Sequence, residues 1–146
     1  MDYLPEVKRK LSDVMTYSTR CEVLMKEDPS LIFHFYLCMR SFIRASYVLQ
    51  LKPSKWKLND PPNCTSQLMQ GSLSSEEYKN PVLVFQNAFK EFSLKSFEHF
   101  ITEVVYFSLG AYSDEPEAHI IAQFIQLSKM LDAAQLLQER GIEKRD

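Results

Sequence analysis

Only three glycines are spread over the 146 residues, too few for a fold assembled from tight turns that need positive φ. Helices joined by few connections are what that scarcity leaves. Cysteine is equally sparse. Cys21, Cys38 and Cys64 lie too far apart for a zinc knuckle, and an odd number in a chain of this length is no disulfide framework. Long apolar runs are missing too. The most apolar stretch, LIFHFYLCM, is too short to span a bilayer and contains His34. The opening MDYLPEVKRKLSDV lacks the apolar centre of an export signal. Neither charge dominates: 17 basic residues face 19 acidic ones, so no global basic field advertises nucleic-acid binding. Phosphate-binding glycine loops, Cys-x-x-Cys pairs and Gly-x-Ser-x-Gly elbows are absent, and no cofactor is implied. These absences predict a cytoplasmic protein with reduced thiols and no membrane segment.

What is present is helical periodicity, in a chain long enough to bury a core as one domain spanning 1–146. Leu4, Val7, Leu11, Val14, Ser18, Cys21 and Met25 alternate steps of three and four and so share one stripe. Pro5 suits the first turn, and Asp28-Pro29 reads as the cap and first position of a second helix reaching about Leu51. From about 52 to 80 the pattern is lost, in a segment holding three prolines, with Pro81 just beyond, and the single Trp56. Connections of this length are commonly functional; a short helical turn near Ser75-Glu76-Glu77 fits within it.

Periodicity resumes with Val82, Phe85, Phe89 and Phe92. A break is expected at Ser93, whose hydroxyl can cap the next turn while Phe92 and Phe97 occupy the positions of a hydrophobic staple. Phe97, Phe100, Ile101, Val104 and Ser108 then face inward, with Gly110 as the stop. The last helix opens in the acidic Ser113–Glu117 turn, carries Ile120, Phe124, Leu127, Leu131 and Ala134, and ends near Gly141 with a charged tail. The fold class predicted is all-α, an up-and-down bundle of four to five helices with one long irregular connection.

The second helix raises the functional question. At 100° per residue, Leu31, Ile32, Phe35, Met39, Phe42, Ile43 and Leu49 form the core face. Arg40 and Arg44 lie opposite, among Phe33, Leu37, Tyr47 and Leu51, with Tyr36 at the edge. Two arginines one turn apart repel modestly, and burying either without a counter-charge costs much more. An aromatic, aliphatic and arginine-bearing face poor in Lys and Glu has the composition of a protein interface. Three coverings are open: the long connection with Trp56 and a glutamate from elsewhere, a second protein chain, or an anionic ligand held bidentately.

Other chemistry is thin. His99 with Glu103, and Glu115 with His119, stand four apart, but they fall away from the apolar stripes and lack the Glu-x-x-His spacing of dimetal bundles, so no metal is predicted. His34 precedes Cys38 by one turn. A catalytic thiol needs an electropositive, accessible setting and a positioned base, which spacing alone does not supply. The HEPN nucleases are also small helical bundles, yet no arginine here is followed by a histidine in their pattern. Lys52, Lys55 and Lys57 around Trp56 form a basic-aromatic combination able to stack on single strands. The segments FITEVVYFSLGAY and FIQLSKMLDAAQLLQERG, about the last third of the chain, resemble the C-terminal helical hairpin of small uncharacterised proteins from Bacteroides-type bacteria. That resemblance implies a bacterial, cytoplasmic setting and no activity.

The reading is therefore a non-enzymatic interaction or regulatory protein, homodimeric or bound to another protein through Phe33, Arg40, Arg44 and Tyr47 with Trp56. The alternatives are a nucleic-acid-associated, HEPN-like bundle without nuclease residues, and a binder of a small anion.

Overall fold

Six helices and two short strands follow one another in the computed structural model, which describes residues 4–19, 29–52, 56–58, 71–108 and 120–144. They are α1 (Leu4–Thr19), α2 (Pro29–Leu51), β1 (Trp56–Leu58), α3 (Ser75–Lys79), α4 (Val82–Glu91), α5 (Leu94–Ser108), α6 (Ile120–Arg140) and β2 (Ile142–Lys144). The all-α bundle expected from periodicity is what forms. The readings placed on Cys21, Met25, Asp28, Cys64, Gly110, Ser113–Glu117 and His119 lie outside the described residues.

The helices do not follow one another around the bundle. α1 packs on α5 and α6, α2 packs on α5 and α4, and α4 packs on α6. The resulting ring is α1–α5–α2–α4–α6, with α5 meeting α6 only narrowly. The reason lies in α4 and α5, which together act as one interrupted arm. Side-chain contacts run from Tyr36 against Thr102, through Arg44 against Glu98, to Tyr47 against Phe89, so α2 lies antiparallel along both. A helix of 23 residues is about 35 Å long, enough to span the two. One hydrophobic cluster fills the ring, built from Leu11, Val14, Ile32, Met39, Ile43, Phe85, Phe97, Phe100, Ile101, Leu127 and Leu131 among others.

The break between α4 and α5 falls where the sequence places it. Phe92 is extended at φ −131°, ψ 142°, and the Ser96 N–H donates to Ser93 Oγ at 3.1 Å. The Phe92 and Phe97 rings meet edge to face at 5.5 Å, which fixes the entry angle of α5. α3 starts in a reciprocal cap: the Glu77 N–H donates to Ser74 Oγ at 3.2 Å while the Ser74 N–H donates to Glu77 Oε1 at 2.9 Å. Gly141, at φ 79°, ends α6 in the left-handed region.

Two expectations are corrected. Leu31, assigned to the core face of α2, is 53% exposed, whereas Ser46 turns inward and donates to the Phe42 carbonyl at 2.8 Å. The inward arc is therefore narrower than the apolar arc, because α5 and α4 cover only one side of α2. Secondly, Trp56 lies in a strand rather than in an irregular connection. β1 pairs antiparallel with β2, Trp56 opposite Lys144, Lys57 opposite Glu143 and Leu58 opposite Ile142. The charged tail expected after Gly141 is thus a strand. The positive φ of Gly141 turns the chain, and two short apolar–charged alternations then match each other's faces.

The described end of the long connection also packs away from α2, on α4 and α6. Ser72 Oγ donates to Asp132, Lys129 pairs with Glu77 at 2.9 Å, and Arg140 donates to the Tyr78 and Lys79 carbonyls at 2.8 and 3.0 Å. Those last two bonds satisfy carbonyls at the C-terminus of α3 that its own backbone leaves open.

Candidate functional site

Because α5 and α4 occupy one side of α2, its opposite side is left as a stripe. Phe33 is 60% exposed, Leu37 41%, Val48 64% and Leu51 54%, with the side chain of Arg44 half-exposed among them. These positions fall within about 60° on the helical wheel, so the exposure is one continuous surface. Four large apolar side chains on one exposed helical stripe differ from the scattered exposed residues every protein carries.

The two arginines prove unlike. Arg44 Nε donates to Glu98 Oε1 at 2.6 Å, an exposed pair worth about 0–1 kcal/mol. Arg40 is half-buried, and among the described residues no ion pair or hydrogen bond engages it. The glutamate anticipated for both therefore serves only one. Its identity was illegible in the sequence, since Glu98 reaches Arg44 only through the antiparallel packing of α2 on α5.

Phe33 stacks on Tyr36 with centroids 6.4 Å apart and planes 26° off parallel. Tyr36 Oη donates to Thr102 Oγ1 at 3.4 Å, the threonine proton going to the Glu98 carbonyl, and Val105 and Tyr106 complete a notch of about 190 Å³ between α2 and α5. Tyr106, 45% exposed, extends the aromatic surface beyond α2. Tyr47 behaves differently from the expectation. Its ring meets Phe89 edge to face at 5.4 Å, and Phe89 meets Phe97 at 5.4 Å, so Tyr47 is a core-edge residue of the α2–α4 seam. The structure thus gathers Phe33, Arg40 and Arg44 and adds Leu37, Val48 and Leu51. It sends Tyr47 inward and Trp56 into the ribbon.

His99 Nε2 lies 3.7 Å from Glu103 with the imidazole largely in solvent, and no group of three His, Cys, Asp or Glu stands together among the described residues. Of the basic-aromatic cluster, Trp56 and Lys57 lie in the ribbon, with Lys57 in register with Glu143, and Lys55 lies outside the described residues. No described helix is long and apolar enough to cross a membrane. Comparison with models of protein families, with curated proteins and with solved structures returns no match.

Proposed function

We propose that this chain is a non-enzymatic interaction module that associates with a second copy of itself through the outer face of α2. The observation that carries the reading is the continuous exposed stripe of Phe33, Leu37, Val48 and Leu51. Apolar side chains of this size stabilise association by about 25 cal/mol for each Å² removed from water. An isologous contact needs only one such patch per chain. Charge is compatible with that pairing. Arg44 already holds the Glu98 carboxylate, so apposing two copies brings two unengaged guanidinium groups to the joint rather than four. The prior engagement of Arg44 disfavours the competing anion-pocket reading, which requires both arginines to close on one ligand.

Native mass spectrometry of the wild-type chain and of Phe33→Glu/Val48→Glu tests the reading. A wild-type dimer that becomes monomeric in the variant, with an unchanged melting temperature, is the expected outcome. A wild-type monomer, or a dimer indifferent to both glutamates, refutes it. Arg40→Glu/Arg44→Glu provides a second check and also dissociates the dimer.

A further inference from the structure

The outer stripe of α2 has nearly the same order from either end. Counted from Phe42, Arg40 and Arg44 stand two residues to either side, Leu37 five before, Val48 six after, and Phe33 and Leu51 nine to either side. At 100° per residue all six fall within about 80° of the helix circumference. In both directions the order is apolar, apolar, arginine, arginine, apolar, apolar. The two ends differ in shape. Beside Phe33 lies the notch of about 190 Å³ formed with Tyr36, Thr102, Val105 and Tyr106, whereas Leu51 closes the stripe as a side chain 54% exposed. One end carries a recess and the other an apolar side chain able to enter it. Glu98 adds a third observation. Its Oε1 accepts from Arg44 Nε at 2.6 Å, and its Oε2 accepts no hydrogen bond among the described residues.

We propose that two copies pair α2 against α2 antiparallel, about a two-fold axis passing Phe42, with Leu51 of each copy seated in the Phe33–Tyr106 notch of the other. The inference rests on the self-association proposed above and fixes its direction and register. A two-fold contact matches residue i with j and j with i, and either direction sets apolar side chains against apolar ones. Charge and shape separate the two. In the parallel arrangement every side chain meets its own copy. Recess then faces recess, and the two unengaged Arg40 guanidiniums face each other, a juxtaposition of like charges that disfavours association. In the antiparallel arrangement Phe33 meets the partner's Leu51, and Leu37 meets the partner's Val48. Arg40 meets the partner's Arg44 together with the Glu98 that Arg44 already holds. Glu98 Oε2 then accepts from the incoming guanidinium, a charge-assisted bond. The stretch from Phe33 to Leu51 spans about 27 Å. Contact over that length needs the two axes close to alignment, as the crossing of roughly 20° common in helical bundles provides.

Disulfide cross-linking of the full chain tests the direction. Cys21, Cys38 and Cys64 are replaced by serine, and Phe33→Cys and Leu51→Cys are then introduced into separate chains, which differ in mass. The two are mixed and oxidised, and the products are weighed intact. The mixed 33–51 dimer is expected to exceed either symmetric product by about tenfold or more, and the preference disappears when the mixture is oxidised in urea. A wild-type dimer whose variants give mainly 33–33 and 51–51 products, no preference, or no cross-link overturns this register and leaves self-association standing. A wild-type monomer in native mass spectrometry removes both. Arg40→Gln gives a second reading with opposite signs for the two directions. In the antiparallel pair it loses the bond to Glu98 and raises the dissociation constant about tenfold, the worth of a hydrogen bond to a charged group. In the parallel pair it relieves repulsion and lowers that constant. A lowered or unchanged dissociation constant therefore overturns the proposal.

Discussion

Lys8 and Asp132 form a pair whose two members should not cost the same to remove. Lys8 Nζ sits 2.9 Å from each oxygen of Asp132, joining α1 to α6, and Ser72 Oγ donates to the same carboxylate. The side chains are 33% and 7% exposed respectively. In Lys8→Met the carboxylate stays buried with Ser72 as its only remaining side-chain donor among the described residues. Leaving one ion of a buried pair behind costs about 3–5 kcal/mol, and the partial exposure of Lys8 places this variant near the lower end. In Asp132→Asn the ammonium that loses its counter-charge is the exposed partner. Its flexible stem carries the head into water, and the amide oxygen still accepts from Ser72. About 1 kcal/mol follows, the worth of an ordinary hydrogen bond. Urea denaturation at neutral pH reads both through the midpoint at constant slope. Lys8→Met should also lower the melting temperature by roughly 6–12 °C, at about 2–4 °C per kcal/mol for a domain of this size. The double variant should resemble Asp132→Asn alone, a non-additivity of more than about 1 kcal/mol. If Asp132→Asn proves as costly as Lys8→Met, or the double variant is additive, the asymmetry argued from burial is wrong.

Ser93→Ala removes the hydroxyl that accepts from Ser96 and should cost about 1 kcal/mol by chemical denaturation, with Ser93→Asp close to wild type. Burial alone pushes the Glu77 carboxyl up, but the Ser74 N–H and Lys129 together hold it below the ordinary value of 4.5. Its contribution to stability is therefore complete above that value and is lost as pH falls through it to the lower folded pKa. Acid titration of Glu77→Gln, followed by circular dichroism, should show a shallower loss of stability in that window than wild type. Gly141 stands at φ 79°, so Gly141→Ala should destabilise by about 1 kcal/mol, read as a lower urea midpoint.

The fold was legible where local chemistry decides it. Ser93 announces its break because a cap and a staple are both written within six residues, Phe92 to Phe97, and the structure realises each contact. The short helix near Ser75 was expected too, but its reciprocal cap between Ser74 and Glu77 emerged only from the structure. Ring order was not legible. That α2 lies along α4 and α5, while α1 crosses to α5 and α6, depends on which stripes fit together, and several apolar stripes here are interchangeable in composition. The Trp56–Leu58 ribbon was missed because three residues carry too short an alternation to register as a strand until the partner is known. Likewise the inward course of Tyr47 follows from Phe89, a residue 42 positions away in sequence.

The candidate surface shows why a helical wheel overstates a core. Apolar residues on α2 occupy nearly the whole circumference, so the wheel alone cannot say which arc the bundle uses. Packing assigns Ile32, Phe35, Met39 and Ile43 to the interior and leaves Phe33, Leu37, Val48 and Leu51 outside. The arginines then divide along the same logic. Arg44 stands where α5 can answer it with Glu98, whereas Arg40, one turn earlier, finds no such carboxylate among the described residues. Were the outer stripe simply solvated, selection for solubility would favour lysine and glutamate over phenylalanine, leucine and valine at these positions. Under the proposed self-association, the stripe of Phe33, Leu37, Val48 and Leu51 is the part of α2 that a second copy covers.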